Sequence, residues 1–132
     1  MLKALCGSEA AAGIKAGFSL ASHSRAALVK KIGSDYFGAN IAAAAVEASG
    51  ESTVNAIRKL KGHVFHVSLA DIRARKLYAR IPGEGDLDFK SIFSALDKSG
   101  YAGPLTWRLC SDEEPDSACR KTFKFGKSVA KR

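Results

Sequence analysis

The chain has 132 residues, 46% hydrophobic and 26% charged, which excludes a disordered or fibrous polypeptide and fits a globular domain. That length suits a single domain over 1–132 and falls short of the roughly 200 residues that a complete (β/α)8 barrel needs. No apolar run approaches the roughly 18–20 residues of a membrane span, and a formal charge of +8 favours anionic partners such as phosphates, nucleic acid or acidic protein surfaces.

Met1 to Gly13 is alanine-rich and predicts a helix, and Ile14 to Leu20 a short strand. Between Met1 and Lys31 the bases Lys3, Lys15, Arg25, Lys30 and Lys31 stand against one acid, Glu9. Such an acid-poor start is also how organelle transit peptides read, so the expected cytoplasmic location has the mitochondrial matrix as its alternative. Ser24 to Ile32 is amphipathic, with Ala27, Leu28 and Ile32 on one side, Ser24 as cap and Gly33 as its end. Tyr36 to Ile41 is the next strand, running into Ala42-Ala43-Ala44-Ala45, and Glu51 to Leu60 is a helix with Val54, Ile57 and Leu60 inward.

Val64 to Leu69 is β-branched and apolar at strand length, and Asp71 with a basic loop closes it. Pro82-Gly83-Glu84-Gly85-Asp86 breaks the chain. The period then changes: Phe89, Ile92, Phe93 and Leu96 form one helical stripe, with Asp88 as N-cap and Gly100 past the end. Leu105 to Cys110 is a further strand, and Asp116 to Arg132 a helix whose inner face reads as Cys119, Thr122, Phe123, Gly126 and Ala130. Four strands alternating with helices predict an α/β fold with a parallel sheet joined by right-handed crossovers. Cys6, Cys110 and Cys119 show no C-x-x-C spacing and read as reduced thiols of an intracellular protein.

A strand ending in Asp71, then Pro82-Gly83-Glu84-Gly85-Asp86-Leu87-Asp88-Phe89, a helix, Gly100-Tyr101-Ala102-Gly103-Pro104-Leu105 and a last strand resemble the end of the xylose-isomerase-like barrels. That group holds sugar and sugar-phosphate isomerases and epimerases. The resemblance implies that this chain is a half (β/α)8 barrel, its back half. It also implies a catalytic divalent ion, such as manganese or magnesium, held by one Glu, Asp, His and Glu at the ends of the last four strands.

Position by position, the ligands are missing. The first strand places Ala21 at its carboxylate, in Leu20-Ala21-Ser22-His23, and the second runs into Ala42. The third keeps Asp71 of the family's His-x-x-Asp but has Ser68 at the imidazole, and the last has Arg108 where the family has Glu. Hard dications need oxygen or imidazole donors, and arginine brings a permanent positive charge. No catalytic residue, metal or other cofactor is therefore expected.

Arg108 at a strand tip, with Arg73, Arg75, Lys76 and Arg80 on the preceding loop, suggests instead a site for an anion or phosphorylated ligand. Asp71, Glu84 and His23 match family positions and join that candidate set. The competing reading makes the basic loop a solvated one and pairs Arg108 with Asp71 or Glu84. His66 reads as a packed histidine and His63 as exposed. Trp107 and Arg108 point to opposite faces, the tryptophan being the structural one. The basic tail, from Arg120 to Arg132, reads as a solvated helix face, with contact to RNA or a partner as the other reading.

A half-barrel leaves two open strand edges and an inner face without its opposite wall. The expectation is a homodimer pairing those edges, or a place in a larger assembly that covers them. Two functions follow: a non-catalytic structural or interaction subunit with an anion-binding rim, or a sugar isomerase or epimerase completed by another chain.

Overall fold

The computed structural model describes the backbone of residues 16–20, 23–109 and 113–130, and the side chains of residues 27–76, 80–109 and 113–130. The expected helix over Met1 to Gly13 lies outside the described residues.

The elements are β1 (Ala16–Leu20), α1 (His23–Ile32), β2 (Phe37–Ala42), α2 (Ala43–Ala48), α3 (Thr53–Lys59), β3 (Val64–Leu69), β4 (Asp71–Arg73), β5 (Lys76–Arg80), α4 (Phe89–Ser99), β6 (Leu105–Trp107) and α5 (Pro115–Ala130). β1, β2, β3 and β6 form one sheet in that order, with every pair parallel. Each of these pairs is joined through at least one helix, the crossover that parallel strands require. The four strands expected from sequence thus lie side by side in chain order, as in one half of a (β/α)8 barrel.

One face of this sheet meets the helices. Ala39 and Ile41 from β2 and Val67 and Leu69 from β3 are fully buried there, against Val46, Ile57, Leu60, Ile92 and Leu96. Burying one such branched aliphatic side chain contributes about 1.5–3 kcal/mol. The stripe read on α4 is the buried one: Phe89, Ile92, Phe93 and Leu96 all face inward. Asp88 caps that helix by accepting from the Ser91 amide at 3.0 Å. Gly100 ends it at φ 73°, a left-handed conformation that glycine adopts without cost. The amide of Tyr101 returns to the Leu96 carbonyl, and that of Gly100 to Asp97, the paired bonds of a Schellman motif.

Four local expectations are corrected. The alanines after β2 wind into the short helix α2, whose Val46 is buried. The basic stretch after Asp71 is an antiparallel hairpin rather than an open loop, with Arg73 opposite Lys76. On α1, Val29 is the fully buried side chain and Ala27 is exposed. On α5 the inner face is rotated: Ala118 and Thr122 are buried and Phe125 and Val129 pack on the core, while Cys119 and Phe123 are exposed. Aromatic packing sets that rotation, because the Phe125 ring stands edge-on to Phe89 at 5.3 Å and to Trp107 at 6.1 Å.

Candidate functional site

The opposite face of the sheet, the interior of a barrel, is polar at its middle. Asn40 and Ser68 alternate with the buried apolar positions of β2 and β3, Thr106 alternates with the exposed Leu105 and the half-buried Trp107, and the three share this face. The register between β2 and β3 shifts, pairing Ala39 with Val64 and then Asn40 with His66. Phe65 is therefore the extra residue of a bulge, and it turns inward with His66. Its ring lies directly over Gly38, where a β-carbon would collide with it. His66 joins three strands: Nδ1 meets Asn40 Oδ1 at 2.9 Å, and Nε2 meets Thr106 Oγ1 at 2.8 Å.

At the C-terminal ends of the strands, where ligands bind in parallel α/β folds, the chain presents three described positions of the implied metal site. Ala42 is the direct cross-strand partner of Ser68. Ser68 is in turn paired with Thr106, two residues before Arg108, and the Arg108 amide donates to the Leu69 carbonyl at 2.7 Å. The three positions are thus adjacent strand tips. A methyl group, one hydroxyl and a guanidinium do not make a site for a hard dication. Ala21 lies outside the described residues. Among the described residues no group of three or more His, Cys, Asp or Glu side chains comes together as metal ligands would.

Asp71 has a different job. It is fully buried, and its two oxygens accept four backbone N–H bonds. Oδ1 takes Ile72 at 2.9 Å and Leu87 at 3.2 Å; Oδ2 takes Gly83 at 2.8 Å and Gly85 at 2.9 Å. One carboxylate thereby folds the Pro82–Leu87 loop over the end of β3. Gly85 approaches so closely that a β-carbon there would run into Asp71 Oδ1 and the Ile72 carbonyl. Arg73 closes the same loop, donating from Nη2 to the Glu84 carbonyl at 2.8 Å.

The hairpin tip carries backbone strain. Ala74 and Arg75 both have positive φ, 53° and 58°, as the central residues of a type I′ turn must. Asp86 Oδ2 steadies the turn by accepting from the Ala74 amide at 2.7 Å. Beside it, Arg75, Asp86, Asp88, Ser91, Glu47 and Ser52 border a groove of about 560 Å³ on the outer, helical side of the rim. The Ser91 hydroxyl and then its amide hold the Asp88 carboxyl below the usual carboxylate range. On α5 the Lys121 ammonium is raised by its bond to Glu113, with a smaller contribution from Glu84.

The residues singled out from sequence are therefore divided. Asp71, Arg73 and Glu84 are brought into one loop, Arg75 borders the outer groove, and Arg108 is exposed at the neighbouring strand tip. The His23 side chain lies outside the described residues. The pairing of Arg108 with Asp71 is not formed, because backbone amides occupy that carboxylate. Sequence reasoning missed the Asn40–His66–Thr106 chain. Its signal was the alternation of Asn40 with Ala39 and Ile41, and of Thr106 with Leu105 and Trp107, one polar position per strand on one face.

No helix among the described residues is long and apolar enough to cross a membrane. Inosose dehydratase of Clostridium perfringens (strain 13 / Type A) is 34% identical over 74 residues, covering 43% of this chain and 25% of that protein. The protein of the same name from Clostridium beijerinckii is 30% identical over 100 residues, covering 63% and 32%. The crystal structure of D-allulose 3-epimerase from Methylomonas sp. superposes with a TM-score of 0.83 at 15% identity, over 97% of this chain and 53% of the other. That of 3-keto-D-glucoside 4-epimerase from E. coli gives 0.81 at 18% identity, over 96% and 51%. The chain thus spans about a quarter to a third of these curated relatives and about half of these solved structures. A family profile described as xylose isomerase-like TIM barrel matches residues 10–129. With its four parallel strands, its rim loop and this match over most of its length, the chain belongs to the xylose isomerase-like TIM-barrel family.

Proposed function

We propose that this chain is a non-catalytic structural or interaction subunit derived from a sugar isomerase or epimerase barrel. One observation carries the reading: Ala42, Ser68 and Arg108 occupy three neighbouring strand tips at which the resemblance implies metal ligands. A dication there would face a fixed positive charge instead of two carboxylates and an imidazole. The framework around those tips is intact, since Asp71 still organises the rim loop through four backbone bonds.

The exposed Arg108 makes the same rim a candidate site for an anion or a phosphorylated ligand, through guanidinium contacts. The names of the relatives, dehydratase and epimerases, support the second reading, a sugar isomerase or epimerase whose site another chain completes. Manganese and magnesium separate the two. The non-catalytic reading expects no metal-dependent thermal shift and no turnover of ketoses or ketose phosphates. Metal-dependent turnover by the chain, alone or with its partner, sinks it. Arg108→Glu is expected to weaken phosphate binding without unfolding the chain.

A further inference from the structure

β6 is paired on one side only. β3 meets it through Val67, Ser68 and Leu69, and no described residue pairs its other edge. Among the described residues β1 stands likewise at the opposite end of the sheet, paired with β2. The Pro104 carbonyl and the Arg108 amide serve β3, so the backbone groups of Leu105 and Trp107 point to the open side. Leu105 is 40% exposed and Phe123 on α5 64% exposed. With Phe93, Trp107, Gly126 and Ala130 they line an apolar groove of about 260 Å³ along that edge.

We infer that this face is a contact between two copies of the chain. The free edge of β6 on one copy pairs with the free edge of β1 on the other, twice around a twofold axis, closing an eight-stranded barrel. The inference rests on the reading of the chain as an interaction subunit and names its partner.

Four features favour a second copy. The chain supplies four parallel strands and superposes over nearly its whole length on about half of a complete barrel, so its sheet already has barrel curvature. β1 and β6 are the two ends of one strand order, so a single contact repeated about a twofold axis leaves no open edge. Enclosing the inner face strands no ring nitrogen of His66, since Asn40 and Thr106 already occupy both. The described lining of the β6 groove is also nearly uncharged: its one cation, Lys127, holds its ammonium 4.4 Å from the Phe123 ring centroid. The formal charge of +8 on each copy opposes association at a distance. Added salt therefore tightens this dimer, whereas it would loosen a complex with an acidic partner.

Sedimentation velocity of the purified chain, from about 0.05 to about 0.5 M NaCl, tests the contact. The expected particle is a dimer of the 14.0 kDa chain, favoured by salt. Leu105→Lys, which places a charge on the strand edge, and Phe123→Ser each raise the dissociation constant at least about tenfold. Lys59→Ala, at an exposed site on α3, leaves it unchanged. Phe123 is exposed, so its replacement keeps the fold, which circular dichroism checks independently. A monomer at every salt concentration overturns the inference, as does a dimer that ignores both substitutions or dissolves in salt. Metal-dependent sugar turnover by a dimer that passes these tests would instead overturn the non-catalytic reading and leave the contact standing.

Discussion

Asp71 and Gly85 are a matched pair: the carboxylate accepts the Gly85 amide at 2.9 Å, and only a residue without a β-carbon fits against it. Their contact holds the Pro82–Leu87 loop against the start of β4.

Asp71→Ala is accordingly expected to be severe. It leaves four backbone amides without their acceptor at a fully buried position. Each unsatisfied buried donor costs about 1–3 kcal/mol, and partial rehydration of the loop makes about 3 kcal/mol a reasonable total. Urea unfolding measures it. A loss below about 1 kcal/mol would show that the carboxylate does not hold the loop.

Asp88 links stability to pH. Its folded-state pKa lies below the ordinary 3.8, through the Ser91 hydroxyl and amide. A group lowered in this way stabilises the fold above its unfolded pKa and loses that contribution as pH falls through the folded value. Asp88→Ala should cost about 1 kcal/mol at neutral pH, the usual value of an N-cap. The difference between variant and parent should shrink once pH drops below 3.8. A pH-independent difference would rule out the carboxylate as its source.

The orientation of the Asn40 amide selects one tautomer of His66. Asn40 Oδ1 can only accept, so the neutral ring carries its proton on Nδ1 while Nε2 accepts from the Thr106 hydroxyl. Nitrogen chemical shifts at alkaline pH should report the Nδ1–H form. Thr106→Val removes the hydroxyl donor and should relax that preference toward the mixture of a free imidazole. An Nε2–H ring in the parent protein would mean that the Asn40 amide is turned, its NH2 donating to Nδ1 while Nε2 donates to the Thr106 hydroxyl.

Restoring three of the four implied ligands should create a metal site. The chain bearing Ala42→Asp, Ser68→His and Arg108→Glu presents two carboxylates and an imidazole on adjacent strand tips. Manganese at a hundredfold excess over its dissociation constant would then stabilise this variant by about 2.7 kcal/mol and leave the parent unmoved. Equal thermal shifts in both chains would mean that the metal binds elsewhere. A variant that folds yet ignores manganese would show that the three tips do not converge.

Much of this molecule is legible in one dimension. The apolar run of β3, the stripe from Phe89 to Leu96, the Asp88 cap and the stop at Gly100 are local patterns with local physical causes, and the structure repeats each of them. The loop motif between Gly83 and Leu105 pointed to the family, and the resemblance, through the retained Asp71 and the last strand, placed Ser68 and Arg108. Where neighbours in space decide, sequence reading went astray. The rotation of α5 depends on Phe125 meeting Phe89 and Trp107, residues from α4 and β6. The hairpin at Ala74–Arg75 lacks the usual glycine or asparagine, and Asp86 from a later loop steadies it.

The sequence by itself therefore determined the alternation of strands and helices, and its resemblance to the family named the side chains at the strand tips. The alternation depends on periodicity, caps and turn residues within one segment at a time. Only the tertiary structure decided that Asp71 is spent on four backbone amides, and that Asn40, His66 and Thr106 form one chain across three strands. Hydrogen bonds between residues 26 and 40 positions apart exist only once the crossovers have set the strands side by side.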